Sequence, residues 1–463
     1  MPAPLVIINT VGLTTRMLQY APRLAALAKS GWSVPMREPL PAVTCTSQAT
    51  MLTGVPPNKH GIVANGWLYR DTNEVRFWQQ SNRLIQTEPV YATAKRRAAR
   101  RGRSFTSAKL FWWFNQGAQV NYSVTPKPYY GIQGSKVFDI ATTPPELSNE
   151  LKNRCGPFPF TKFWGPLSER ISSAWITSAT AIAAIDRSPD LAMIYIPHLD
   201  YNPQRKGPSN CDLKEEVNFL DVFCGDLANT FRALGKRVWL VNEYAHCDVN
   251  LPVYLNKVLR NAGLVAVRPG PFGEQLDLFA SRAFAACDHQ IAHVYVANPA
   301  DIPRVADLIR GTPGIDRIYV GEERAEIELD HPRSGEIIAL AKPDAWFAYP
   351  FWLDDRDAPD YARTVAIHHK PGFDPCELFF DPKLRWPKLT VARKLLMSKL
   401  GFRTKFDVIP LDASIVRGSH GLAAKEDIDR PVWIGDGPKP GAGAVPMTAV
   451  RDAILRALDL EED

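Results

Sequence analysis

Residues 40–67 read LPAVTCTSQATMLTGVPPNKHGIVANGW. Pro41 bounds a turn that delivers a cluster of hydroxyls, Thr44, Thr46 and Ser47. A helical run follows, and a Gly-containing turn leads to Asn65. A hydroxyl at a helix N-terminus sits in positive potential beside free backbone N–H groups, which suits attack on phosphorus. Thr44 is therefore a candidate nucleophile. Ser and Thr are also preferred helix N-caps for purely structural reasons, and taken alone the cluster reads first as a cap.

Outward from this stretch, short apolar runs recur at Leu5–Ile8, Leu191–Ile196, Val238–Val241 and Ile291–Val296. Longer segments with helical spacing, such as Thr15–Ser30 and Glu215–Leu234, lie between them. This alternation predicts an α/β fold with a mostly parallel sheet covered by helices. In such folds chemistry collects at the carboxyl ends of the strands. Residues 251–345 have a different texture, with strand and helix patterns punctuated by Gly and Pro. They read as a small α+β subdomain inserted into a core formed by residues 1–250 and 346–463.

The order Pro41, Thr44, Thr53, Gly54, Pro57, His60, Gly61, Ile62 and Asn65 resembles the nucleophile region of the nucleotide pyrophosphatase/type I phosphodiesterase branch of the alkaline phosphatase superfamily. The resemblance implies an alkaline phosphatase-like mixed sheet sandwiched by helices. It implies a Thr44 phosphoenzyme, with Asn65 donating to a non-bridging phosphate oxygen, roles that divide the reaction in two and stabilise developing charge. His60 reads as a residue that holds a turn.

The same resemblance implies metal ligands, but several positions are altered. Asp200 follows a strand and precedes Gly207 and Pro208, as in the family, while Gln204 takes the place of a histidine. In VWLVNEYAHCDV, Glu243 and Tyr244 stand where an Asp-His pair is expected, and His246 is near enough to shift into the vacancy. Tyr244 is a poor ligand and suits packing or substrate bonding. His420, in GSHG, matches the last ligand. The first strand has Val11 before Gly12 instead of an aspartate, and Asn9 is a weak substitute. The expected ligand set is Asp200, Gln204, Glu243 and His420, holding a divalent cation in one or two sites. Oxygen-rich donors favour Mg²⁺, Mn²⁺ or Ca²⁺ over Zn²⁺.

Arg363, His368, Lys370 and Asp374 cluster in WLDDRDAPDYARTVAIHHKPGFDPCELFFDP. They read either as a grip on substrate phosphate or as a salt-bridged loop. Aromatic residues in RFWQQSN and LFWWFNQ are candidate walls for a base or an apolar leaving group, although such density is also typical of core.

Fifty-five basic against 49 acidic residues give a net charge of +6, too mild and dispersed to imply specific nucleic-acid binding. The dense basic stretch Ala94–Arg103 reads as a solvated helix face. Seven cysteines, odd in number and never in a C-x-x-C pair, argue against a disulfide framework and for a reducing cytoplasm. No run is long enough for a membrane span. The expectation is metal-dependent hydrolysis of a phosphodiester, pyrophosphate or phosphomonoester, with a phosphorylated small molecule as substrate. Phosphonate or sulfate ester hydrolysis, phosphoryl transfer, and ligand binding without turnover are the alternatives.

Overall fold

The computed structural model describes residues 2–132, 136–402 and 404–461. The larger of its two main sheets begins with β1 (Leu5–Asn9), β2 (Trp32–Arg37), β3 (Ser107–Leu110), β4 (Tyr122–Tyr130), β5 (Lys136–Thr143), β6 (Leu191–Tyr195) and β7 (Arg237–Val241). The smaller contains β8 (Ala283–Asp288), β9 (Ile291–Val296), β10 (Ile315–Val320) and β11 (Ile337–Ala341), and β12 (Val432–Gly435) and β13 (Val445–Pro446) complete the larger.

The larger sheet runs β13-β2-β12-β7-β1-β6-β3-β4-β5. Its centre is parallel: β1 pairs in parallel with both β6 and β7, and β3 joins β6 the same way. Every residue of β1 and β6 is buried, which explains why these strands read as unbroken apolar runs instead of alternating ones.

Two helical layers cover the sheet. One contains α1 (Pro22–Ser30) and two longer helices downstream. The other contains α2 (Thr44–Thr53) and α3 (Val90–Arg100). The downstream pair, α4 (Arg170–Arg187) and α5 (Leu213–Ala233), pack on each other, and α5 packs on α1. Further along come α6 (Ile302–Arg310), α7 (Pro387–Lys399) and α8 (Ala449–Ala457), and α8 packs against α2 and α3. The resulting alkaline phosphatase-like α/β architecture has the mixed, mostly parallel sheet expected of the sequence.

The smaller sheet is antiparallel, in the order β8-β9-β11-β10. Its core is not closed within residues 251–345, the stretch read from sequence as a subdomain. Cys45, Ile62, Trp67 and Phe77 from the first hundred residues, and Phe351 and Phe373 from beyond it, join Phe284, Val294 and Ile338 in one apolar cluster. The turn between β8 and β9 is thereby held against the end of the larger sheet.

The basic stretch has a defined internal role. Arg97 donates to the Leu460 carbonyl at 2.9 Å, and Arg101 donates to the carbonyls of Asp459 and Glu461 at 2.6 and 2.8 Å. These acceptors lie just past the C-terminus of α8, where carbonyls carry negative potential. The arginines clasp the terminal helix. All seven cysteines are unpaired.

Candidate active site

The register of the central strands aligns Asn9 with both Tyr195 and Val241. The segments that leave β6 and β7 therefore emerge side by side, the first carrying Asp200 and the second carrying Glu243, Tyr244 and His246. His420 arrives from a distant part of the chain. A two-residue antiparallel ladder pairs Cys247 with Ser419 and Asp248 with Gly418, so His246 and His420 lie opposite each other one step beyond it. Their rings are 5.4 Å apart and nearly perpendicular. Gly418 permits this crossing, because a Cβ there would lie 1.9 Å from the Pro203 carbonyl oxygen.

Asp200, His246 and His420 present ligand atoms within 4.8 Å of one another. The donor chemistry fits a cation. His420 Nδ1 lies 2.8 Å from the Ala42 carbonyl, which fixes the proton there and leaves Nε2 as a lone-pair donor. Burial, reinforced by His289 and His246, holds His420 well below the usual histidine range, in its neutral form. Burial raises the Asp200 carboxyl, but the hydrogen bond and charge of His246, with the charge of His420, outweigh it and leave it below its ordinary value. A neutral imidazole and an ionised carboxylate are the states that bind metal.

Two expected ligands have other partners. Gln204 donates from Nε2 to Asp200 Oδ1 at 2.9 Å, so it orients a ligand instead of acting as one. Glu243 Oε1 accepts from Asn9 Nδ2 at 2.5 Å and Gln48 Nε2 at 2.6 Å. Both amide donors meet Oε1, and Oε2 is buried without a hydrogen-bond partner among the described residues. Burial pushes Glu243 up to about 8, against the opposing pull of these hydrogen bonds.

Thr44 opens α2, but the N-cap is Val43, without a side-chain cap. The hydroxyl does not cap the helix as the cluster alone suggested. Thr44 Oγ1 is 3.1 Å from the Tyr244 hydroxyl, which in turn donates to Asp200 Oδ1 at 3.0 Å. The Tyr244 ring stacks on His420 at 3.6 Å with an interplanar angle of 4°. With the tyrosine proton committed to Asp200, Thr44 is the donor in the remaining bond. Asn65 Oδ1 accepts from the Cys45 N–H at 3.0 Å, while its amide nitrogen donates to Asp288 Oδ1 at 3.0 Å. A second bond, Asn65 N–H to Asp288 Oδ2 at 2.7 Å, locks the pair. His60 closes a turn, accepting from the Ile62 N–H and contacting Thr50 Oγ1 at 3.0 Å.

The family model of type I phosphodiesterases/nucleotide pyrophosphatases matches residues 5–374. The chain belongs to this family. It is 24% identical over 241 residues to ectonucleotide pyrophosphatase/phosphodiesterase 1 of Saccharomyces cerevisiae, covering 48% of this chain and 29% of that protein. An uncharacterized pyrophosphatase/phosphodiesterase of Schizosaccharomyces pombe is 25% identical over 215 residues, covering 45% and 36%. The chain thus spans about a third of the length of these curated relatives. In fold it is similar to murine ectonucleotide pyrophosphatase/phosphodiesterase 5, with a TM-score of 0.60 at 14% identity, covering 99% of this chain and 95% of that one. A second structure of the murine protein, inactive and in complex with AMP, gives the same score.

Within this family member, the residues proposed from sequence as a phosphate grip have partners of their own. The Lys370 ammonium lies 2.7 Å from both Asp374 and Glu377, and all three side chains are buried. It is a neutralised internal triad, not a free cation awaiting phosphate. Arg363 faces Asp381 at 3.7 Å, and His368 Nδ1 faces the Phe77 carbonyl at 3.4 Å. None of these partners belongs to the Thr44 group.

Sequence reasoning gave His246 only a minor part and passed over Asp288 and His289. The latter two sit at the β8–β9 turn, whose backbone reaches the site through Gln290 N–H to the His420 carbonyl at 3.0 Å. The His289 ring lies between His420 at 3.6 Å and Phe373 at 3.8 Å. The one available signal was an Asp-His pair, DHQ, in a tight turn between two apolar strands.

Proposed function

We propose that this family member hydrolyses a phosphodiester or pyrophosphate bond, with Thr44 as nucleophile and one divalent cation held by Asp200, His246 and His420. The observation that carries the reading is the chain of contacts from Thr44 Oγ1 through the Tyr244 hydroxyl to Asp200. It joins a hydroxyl at a helix N-terminus to the residues suited to a metal. When bound, such an ion supplies Lewis-acid stabilisation of charge on phosphoryl oxygens.

The remaining work falls to the chain's own residues. Tyr244 fixes the direction of the Thr44 O–H bond. Attack forms an O–P bond to Thr44 and breaks the bond to the leaving oxygen, while the Thr44 proton leaves through the Tyr244 hydroxyl toward Asp200 and the leaving oxygen takes one up; water then cleaves the Thr44 phosphoester and restores the Oγ1 proton. Asn65 uses one amide N–H on Asp288, so that the other is directed at a non-bridging oxygen. Asp288 acts by holding that amide.

A nucleotide-like substrate is favoured by the aromatic residues beside this group. Trp78 and Trp113 lie 5.0 Å apart, centroid to centroid. The Trp78 N–H bonds the Asn65 carbonyl at 3.0 Å, and the Trp113 N–H bonds Gln48 Oε1 at 2.7 Å. The AMP bound by the inactive murine relative has the chemistry that such rings accept. We also assign the chain to the cytoplasm as a proposal, since seven unpaired cysteines suit a reducing compartment.

The test is hydrolysis of p-nitrophenyl thymidine 5′-monophosphate with added Mg²⁺, Mn²⁺, Ca²⁺ or Zn²⁺, by wild type and Thr44→Ala. Turnover by wild type that is lost in the variant, with a phosphothreonine trapped by acid quench, supports the reading. Full activity in Thr44→Ala would refute the phosphoenzyme. Faster turnover of phosphonate or sulfate esters would reassign the substrate class, and tight AMP binding without turnover under any metal would leave a binding protein.

A further inference from the structure

The segment between Asp381 and Val408 is an excursion from the folded body. Its base is closed by the Asp381 N–H to the Val408 carbonyl at 2.8 Å, beside Arg363. The outgoing limb is α7, and Lys394 Nζ ties it to the return by bonds of 2.6 Å to the Lys405 carbonyl and to Asp407. What it displays is unusual for a surface. Trp386, Leu389, Leu395, Leu396, Leu400 and Phe402 are each half or more exposed, and none of them enters any of the three apolar cores. Residues 382–406 also contain eight Lys and Arg and no Asp or Glu.

We propose that this excursion is a docking surface for an anionic lipid bilayer, which it meets from the side without crossing. Two features must be satisfied together. Exposed Leu, Phe and Trp gain by leaving water for the boundary between headgroups and acyl chains, and a dense cationic field gains from phosphate or carboxylate headgroups. A second copy of the chain would cover the apolar side chains but would bring two sets of eight cations together. A nucleic acid would answer the charge but leave the leucines in water. An anionic leaflet answers both. Among the described residues no helix is long and apolar enough to cross a membrane, and the proposed attachment is interfacial.

The test is co-sedimentation of the full chain with vesicles of phosphatidylcholine alone, or of phosphatidylcholine containing phosphatidylglycerol, at two salt concentrations. Each cation near an anionic leaflet raises partitioning roughly fivefold. We expect binding only to the anionic vesicles, weakening with salt, and reduced more than about a hundredfold in the triple variant Lys383→Glu, Lys388→Glu, Arg393→Glu. The double variant Leu389→Asp, Leu396→Asp should lose binding well beyond the roughly 25-fold that its two added negative charges account for. Both should hydrolyse a soluble diester at the wild-type rate and unfold at the wild-type temperature, because the changed side chains are exposed.

Equal binding to both vesicle types, or vesicle binding unchanged in either variant, would overturn the proposal. So would tighter binding to a duplex oligonucleotide that the triple variant abolishes, or a dimer in sedimentation that dissociates in Leu389→Asp, Leu396→Asp.

Discussion

His246 and His420 face each other because Cys247 pairs with Ser419 across a two-residue antiparallel ladder. In the family pattern a histidine stands four residues after the aspartate that Asp200 matches. Here that position holds Gln204, which hydrogen-bonds Asp200, and the second imidazole comes from the strand-end segment instead. On the proposed assignment, a donor lost from one element is replaced by one from another.

The first prediction concerns metal content. Purified protein dialysed against Mn²⁺ or Zn²⁺ should retain about one ion per chain, because Asp200, His246 and His420 are the one group among the described residues whose ligand atoms converge on a single point. His246→Ala should abolish retention. Gln204→Ala should keep the ion with affinity lowered about 10- to 100-fold, the usual effect of removing a group that orients a ligand. Elemental analysis and metal titration read both. Two ions per chain, or retention by His246→Ala, would contradict the assignment.

Tyr244 supports a second prediction. Tyr244→Phe keeps the ring stacked on His420 but removes the hydroxyl between Thr44 and Asp200. A group that only orients the nucleophile should change kcat and leave KM nearly untouched. We expect kcat to fall by about one to two powers of ten, on the scale of a lost positioned hydrogen bond. A rise in KM at constant kcat would instead place Tyr244 on the substrate.

How much of this was legible beforehand follows from which interactions are local. β1, β6 and β7 were visible because a strand buried on both faces is a continuous apolar run, and Asp200 and Glu243 were visible as polar residues just beyond such runs. The pairing of His246 with His420 depends on a register between segments more than 170 residues apart, which no local period encodes. Asp288 comes from the other sheet and meets Asn65 across more than 220 residues of chain. Lys370 and Asp374 share the spacing of an ordinary surface pair. Only burial, with Glu377 as third member, separates an internal triad from a loop that grips phosphate.

That triad gives a stability prediction. The charge of Lys370 is opposed by burial, but Asp374 and Glu377 outweigh it and raise its affinity for the proton. Lys370→Met would leave two buried carboxylates without their cation. We expect a loss of about 3–5 kcal/mol in denaturant unfolding, the usual result of breaking a buried pair from one side. Replacing Lys370, Asp374 and Glu377 together by apolar residues should recover much of that loss. A Lys370→Met protein as stable as wild type would show that the triad is hydrated.

His60 gives a pH dependence whose direction is set by its surroundings. It is buried and accepts the Ile62 N–H on Nδ1, an arrangement that only neutral imidazole can make. Burial, with smaller contributions from His331 and Arg333, lowers its pKa from 6.5 to about 3. In the unfolded chain the ring takes up a proton below about 6.5, whereas in the folded chain it does not until about 3. As pH falls through this window the unfolded state binds more protons, and the group's contribution to stability is lost by about 1.4 kcal/mol per unit. His60→Gln removes the titration. At pH 7 the variant should be less stable by about 1–3 kcal/mol for its lost hydrogen bonds, and urea titrations between pH 7 and 4 should show the gap to wild type closing and then reversing. A gap that stays constant across that range would mean that the folded chain takes up the His60 proton as readily as the unfolded one.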